Sequence, residues 1–375
     1  MNLKRHGLIA GIALTATLAL AACGSDNNEP TAPATNGAGS GAPAGGGITC
    51  ASGSLTAQGS TAQANAMAEW VKAYQTKCSD AKINYQGTAS GAGITAFQGG
   101  TADFAGSDSA LKDGDEATKA NARCGSGNSA INLPMVTGPI AIAYNLDGVK
   151  DLQLKPDTIA KIFSGAIKTW DDAAIKADNP SATLPSTPIL AVHRGDSSGT
   201  TDNFTNYLTS VAPTSWTFGH DKVWKAPGGQ GEQKSDGVSA AIKRSAGAIG
   251  YVELSFAKTN SLSIAKVQNG AGEYTALTGE SAGKTIEGAK ITGTGDDLKM
   301  TIDYKTTTAG AYPIVLVTYE IVCGKGNDAA KLALLKGFLG YTVSTDGQAT
   351  LDKLGYAPLP ETVRTKVDAA IKNLA

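Results

Sequence analysis

From Leu55 onward the chain alternates short apolar runs with stretches of helical period, the pattern of strands each followed by a helix. Residues 55–57 open a strand that breaks at the turn Gln58-Gly59-Ser60. Residues 61–78 read as a helix because Met67, Trp70, Val71 and Tyr74 recur on one face. Residues 82–86 predict the next strand, 88–93 a glycine-rich loop, the stretch to Gln98 a short helix and 103–106 another strand. The unit recurs with strands at 140–145, 189–193 and 248–252 and helices at 156–164 and 201–208. Polar, glycine-rich residues 270–297 show no apolar period and predict surface hairpins without a core element. An apolar strand at 314–322 and helices at 329–341, 345–354 and 362–374 close the chain. The class is α/β, and the likeness in character of the first and last segments suits a lobe built from both chain ends.

The pattern before Leu55 is different. Lys4, Arg5 and His6 precede a charge-free run over 7–22 that ends in Leu20-Ala21-Ala22-Cys23. A basic start, a short apolar segment and small residues before the break point predict a signal peptide over residues 1–22. Leu-Ala-Ala-Cys resembles the bacterial lipobox, which implies acylation of Cys23 as the new N-terminus. Residues 24–47 are almost all Gly, Ala, Ser, Pro, Asn and Thr, too polar and small to bury surface, so 23–49 predicts a lipidated cysteine and a flexible linker. About 25 such residues span roughly 25 to 30 Å, which would hold a folded head just off the membrane.

Export changes the reading of the cysteines. With Cys23 given to lipid, Cys50, Cys78, Cys124 and Cys323 remain in an oxidising compartment and allow three pairings. Cys50 precedes the first strand and Cys78 ends the helix after it, which favours Cys50 with Cys78 and Cys124 with Cys323. The wide spacing and only three histidines, His6, His193 and His220, argue against a metal site. Formal net charge is −1, and loss of Lys4 and Arg5 with residues 1–22 leaves 30 basic against 33 acidic residues. No basic run exists to bind a nucleic acid, so any anion must be held by local dipoles and placed charges.

Three segments supply such dipoles. Gly59-Ser60-Thr61-Ala62, Ala89-Ser90-Gly91-Ala92-Gly93 and Ser198-Gly199-Thr200 each follow a strand and start a helix. A helix start offers unpaired N–H groups and partial positive charge, Ser or Thr adds a hydroxyl, and Gly admits close backbone approach. Each corner alone reads as an ordinary cap; together with Arg194 and Asp108 they read as an anion site. Arg194 offers a planar fork to a tetrahedral oxyanion, with Asp196 as its orienting partner. Asp108 would repel an anion unless the ligand donates a proton, as monohydrogen phosphate does and sulfate does not.

These residues carry a resemblance over most of 55–370. Ile83-Asn84-Tyr85-Gln86-Gly87, Ala102-Asp103-Phe104-Ala105-Gly106-Ser107-Asp108, residues 194–200 and Gly247-Ala248-Ile249-Gly250-Tyr251-Val252-Glu253 are similar to the phosphate-binding proteins of bacterial phosphate-specific ABC transporters, and more narrowly to actinobacterial lipoprotein members. The resemblance implies a two-lobed periplasmic-binding-protein (type II) fold with hinges near residues 144–145 and 312–313. Lobe I would comprise 50–145 plus 311–375, and lobe II 146–310. It implies ligand roles for Thr61, Ala62, Ser90, Asp108, Arg194, Ser198, Gly199 and Thr200, with Asp196 and Ser60 in support. It further implies no cofactor, no catalytic residue, a monomer outside the cytoplasmic membrane, inorganic phosphate as ligand and transmembrane permease subunits as partners. Two alternatives stay open: a receptor for sulfate, molybdate or tungstate, and an extracytoplasmic phosphatase, although His193 has no second histidine or carboxylate cluster beside it in sequence.

Overall fold

The first apolar run forms β1 (Gly53–Gly59) in a computed structural model that describes residues 48–375. The signal peptide, Cys23 and nearly all of the linker lie outside the described residues. Through a turn at Ser60 the chain enters α1 (Ala64–Lys77), which buries Met67, Trp70 and Tyr74 and half-buries Val71. β2 (Ala81–Gly87), α2 (Ser90–Gln98), β3 (Phe104–Ser107) and α3 (Asp115–Arg123) repeat the unit. β4 (Ala130–Asn145) is a 16-residue strand buried along nearly all its length, so it starts well before the apolar run at 140. Its near-continuous apolar character is what a strand covered on both faces requires.

The second half contains β5 (Gln153–Leu154), α4 (Pro156–Phe163), α5 (Ala173–Asp178), β6 (Leu190–Arg194), α6 (Gly199–Val211), β7 (Gln230–Glu232) and α7 (Lys234–Arg244). β8 (Ala248–Glu253), α8 (Leu254–Thr259), β9 (Ser263–Ile264), β10 (Lys266–Gln268) and β11 (Tyr274–Thr275) follow. The chain ends with α9 (Gly279–Glu287), β12 (Lys290–Ile291), β13 (Met300–Thr301), β14 (Val315–Cys323), α10 (Ala329–Val343), α11 (Thr345–Ala349), α12 (Leu351–Leu354) and α13 (Glu361–Asn373).

One sheet organises these elements in the order β2-β1-β3-β14-β4-β8-β6-β7, with β9 also on β4. The outer pairs β1–β2, β1–β3, β6–β8 and β6–β7 are parallel, and the central pairs through β14 and β4 are antiparallel. β4 changes partner along its length: it pairs with β14 up to Pro139 and with β8 from Ile140. Each half of the sheet has its own apolar core, one around Leu55, Trp70, Leu133 and Phe338, the other around Ile142, Trp170, Phe204 and Tyr251. Each such side chain contributes about 1.5–3 kcal/mol by burial.

Both disulfides pair as the sequence favours, Cys50 with Cys78 at a Cα separation of 5.3 Å and Cys124 with Cys323 at 5.4 Å. The second joins the end of α3 to the end of β14.

The expectation for residues 270–297 is corrected. A hairpin of β10 and β11 is present, but α9 is a helix that packs Ala282 and Ile286 against Val315, Val317 and Tyr319 of β14. Its start is fixed by a capping box between Thr278 and Ser281, a signal hidden among small polar residues. Two apolar residues four apart suffice for one short helix and fall below the threshold of a period.

Candidate functional site

The β1–α1 corner needs its glycine. Gly59 has φ +147°, and a Cβ there would come within 1.9 Å of the Gly106 carbonyl oxygen. Ser60 N–H donates to that oxygen at 2.8 Å, which hooks the corner onto the end of β3 and brings the Ser60 hydroxyl onto Asp108 Oδ1. The β2–α2 corner is held by two donations, from Thr88 and Ala89 N–H to the Gly59 carbonyl at 2.9 and 2.8 Å. Ala89 adopts φ 107° there, a glycine conformation taken by a residue with a Cβ, at a cost of about 1–3 kcal/mol.

Across from these, Ser198 caps α6 by accepting from Thr201 N–H at 3.3 Å. The facing corners touch. Gly91 N–H donates to the Ser197 carbonyl at 2.9 Å, and a Cβ on Gly199 would lie 2.7 Å from both Asp108 Cβ and Ser90 Oγ. Only glycine permits backbone contact that close.

Asp108, 2% exposed, is the centre of the arrangement. Its Oδ1 accepts from Ser60 and, at 2.9 Å, from Thr318; its Oδ2 accepts from Thr200 at 3.1 Å and Ser90 at 3.4 Å. Burial pushes its carboxyl upward, opposed by the hydroxyls of Ser60, Thr318 and Thr200 and by the Arg194 charge. Arg194 is equally buried, and a bidentate pair from Nε and Nη2 to Asp196 at 2.6 and 2.7 Å fixes its plane. Arg194 N–H donates to Tyr251 Oη at 3.1 Å, and that hydroxyl shares a 2.7 Å hydrogen bond with Thr201.

Of the residues singled out from sequence, Ser60, Ser90, Asp108, Gly199 and Thr200 therefore meet directly, and Arg194 with Asp196 lies within charge range. Thr61 instead shares a 2.8 Å hydrogen bond with Ser235 in the first turn of α7. Ala62 is buried, with its carbonyl accepting from Tyr356 Oη at 2.6 Å.

Sequence reading missed Thr318 and Ser235. The β14–β4 register shifts between Thr318 and Tyr319, where Met135 of β4 is passed over, and such an irregularity has no residue signature. It also missed two buried acids. Glu320 Oε1 accepts from Gln63 Nε2 at 2.8 Å, and the same amide donates to Tyr85 Oη at 3.0 Å. Glu253 Oε2 accepts from Ser255 N–H at 2.9 Å and from the Ser255 hydroxyl. Both are fully buried, and desolvation, with the nearby Asp108 charge adding to it, pushes each up to about 8, which favours the protonated form at neutral pH. A single Glu inside the apolar run of β14 was the available signal. Among the described residues, no three His, Cys, Asp or Glu side chains cluster as metal ligands, and no helix is long and apolar enough to cross a membrane.

Residues 44–346 match the model of the PBP superfamily domain. The chain is 44% identical over 379 residues, spanning all of both chains, to the phosphate-binding protein PstS 3 of Mycobacterium leprae. It is 34% identical to the phosphate-binding protein PstS of Xylella fastidiosa over 81% of this chain and 80% of that one. Among solved structures it is similar to a high-affinity periplasmic phosphate-binding protein, PfluDING, at TM-score 0.67, with 22% identity over 84% of this chain and 93% of that one. A putative phosphate ABC transporter substrate-binding protein from Clostridium perfringens matches at TM-score 0.59 and 19% identity, over 82% of this chain and all of the other. These likenesses show the fold, an α/β periplasmic-binding-protein fold of two lobes.

Proposed function

Since this chain belongs to the PstS family of phosphate-binding proteins, we propose that it captures inorganic phosphate outside the cytoplasmic membrane and delivers it to an ABC importer. The observation that carries the reading is the double set of partners on Asp108. Ser60 and Thr318 hold Oδ1, while Oδ2 meets Ser90 and Thr200 from facing corners by the longer bonds. Oδ2 is then the oxygen that accepts the proton of monohydrogen phosphate, with the Ser90 and Thr200 hydroxyls turning to the ligand. N–H groups at the starts of α2 and α6, the Ser198 hydroxyl and the Arg194 fork supply the donors, and Thr61 and Ala62 donate from the first corner. Charge-assisted bonds of about 1.5–3 kcal/mol each reach the roughly 8 kcal/mol of a micromolar receptor after ordering costs.

The two lobes, 50–145 with 311–375 and 146–310, would close by bending where they join. Support comes from the change of partner along β4 at Pro139 and Ile140, close to the hinges proposed near Tyr144 and Tyr312. We read the protein as a monomeric receptor rather than an enzyme, tethered by acylated Cys23 and docking on transmembrane permease subunits. Names of the relatives support a binding role.

Calorimetric titration tests the reading: phosphate binds one to one, and sulfate in equal concentration leaves that isotherm unchanged. Displacement of phosphate by sulfate would remove Asp108 as the discriminating acceptor and favour the broader oxyanion receptor.

A further inference from the structure

We propose that Glu116 and Lys222 form an ion-pair latch across the cleft, a pair of positioning residues that hold the lobes closed over the ligand without touching it. This rests on the reading of the chain as a closing two-lobed phosphate receptor. Glu116 belongs to α3 on the Asp108 side, and Lys222 to the loop after α6 on the Arg194 side. Lys222 Nζ reaches both carboxylate oxygens, at 2.9 and 3.0 Å. The two side chains are only 5% and 24% exposed, so water and salt screen the pair far less than a surface pair. In the same loop the exposed Lys225 pairs with Asp221 of its own side, at 50% and 33% exposure, and itself makes no bond across the cleft, so Lys225 serves as an internal control.

Both ends of the latch are tied to the anion site. Lys222 accepts from Ser198 N–H at 2.8 Å through its carbonyl, so the residue that grips Glu116 also positions the cap of α6. Glu116 Oε1 additionally accepts from Lys112 N–H at 3.0 Å, and the Glu116 carbonyl accepts from Gln98 Nε2 of α2 at 2.9 Å. α2 begins with Ser90, and α3 is pinned at its far end by the Cys124–Cys323 disulfide. Opening would draw Lys222 away from an element that cannot follow it. Lys112 extends the same line of charge, 3.4 Å from Asp221 and 3.9 Å from Asp202.

The test uses the full mature chain with inorganic phosphate. Glu116→Gln raises Kd about tenfold, mainly through faster dissociation, because the pair forms only on closure. Lys222→Gln does the same, and the double substitution costs no more than either single one. Lys225→Gln stays within about twofold of wild type. A Glu116→Gln protein with unchanged Kd and dissociation rate, or additive single effects, overturns the latch. Failure of wild type to bind phosphate would instead sink the functional reading, and the latch is then decided by solution scattering at low salt. A larger radius of gyration in Glu116→Gln supports it, and an unchanged one removes it.

Discussion

The two walls of the site carry opposite charges and settle them by different means. On one wall Arg194 is matched by a carboxylate of its own, Asp196, through a bidentate pair that leaves little net charge. On the other, Asp108 has no paired cation; four hydroxyls, from Ser60, Ser90, Thr200 and Thr318, take that place. The difference teaches that attraction for an anion here comes from oriented donors rather than from excess positive charge, in keeping with a formal net charge of −1. A guanidinium locked by a carboxylate presents direction, and a carboxylate solvated by hydroxyls presents an acceptor that can be partly uncovered.

The comparison breaks most violently at Arg194. Arg194→Ala leaves Asp196 mostly buried without its partner, a loss of about 3–5 kcal/mol in stability by the usual cost of orphaning a buried charge. On the proposed site it also removes the oriented guanidinium donors, so phosphate affinity falls by several kcal/mol. Asp196→Asn, which keeps one hydrogen bond to the fork, loses much less of both. Chemical denaturation and calorimetry on the two variants check the order, and equal losses would show that the pair acts only as a charge, not as an orienter.

The next effect is one of selectivity. Asp108→Asn keeps an acceptor and adds an N–H donor, so phosphate still binds while the discrimination against sulfate falls, by about 1–3 kcal/mol of relative affinity. Competition titration reads it directly. Unchanged selectivity would mean that Oδ2 does not accept from the ligand.

How much of this was legible in the sequence depends on scale. Apolar runs and helical periods predicted β1 to β3 with α1 and α2, because burial alternates along β1 and β2 and α1 buries one face, whereas α3, which buries only Ala120, left no such period to read. Corners at Ser60, Ser90 and Gly199 were readable from small residues after strands, since only those permit the contacts at Gly59 and Gly199. Thr318 was not, because what brings it to Asp108 is the pairing of β14 with β3 and β4, strands far apart in the chain. α9 was lost to composition, and Ser235 reaches Thr61 only through the packing of two helix starts 174 residues apart. Local chemistry is written locally; convergence is written in the sheet.

Behind the Asp108 wall lies the finest test of the contrast. Glu320 is buried with no cation at all, and its proton is what makes that burial tolerable. Its value in the fold, about 8, stands above the ordinary 4.5 of a solvated glutamate, so the folded chain holds a proton that the unfolded chain releases. The stability this contributes is complete below the solvated value and is lost as pH rises through about 8. The slope from one such group reaches about 1.4 kcal/mol per pH unit. Glu320→Gln imitates the neutral acid, and its amide oxygen can still accept from Gln63. The variant therefore matches wild type near pH 4 and becomes the more stable protein as pH rises toward 8, in phosphate-free denaturation curves. A wild-type slope preserved in Glu320→Gln would show that the acid is charged in the fold and that the wall is supported by something other than neutral carboxyls.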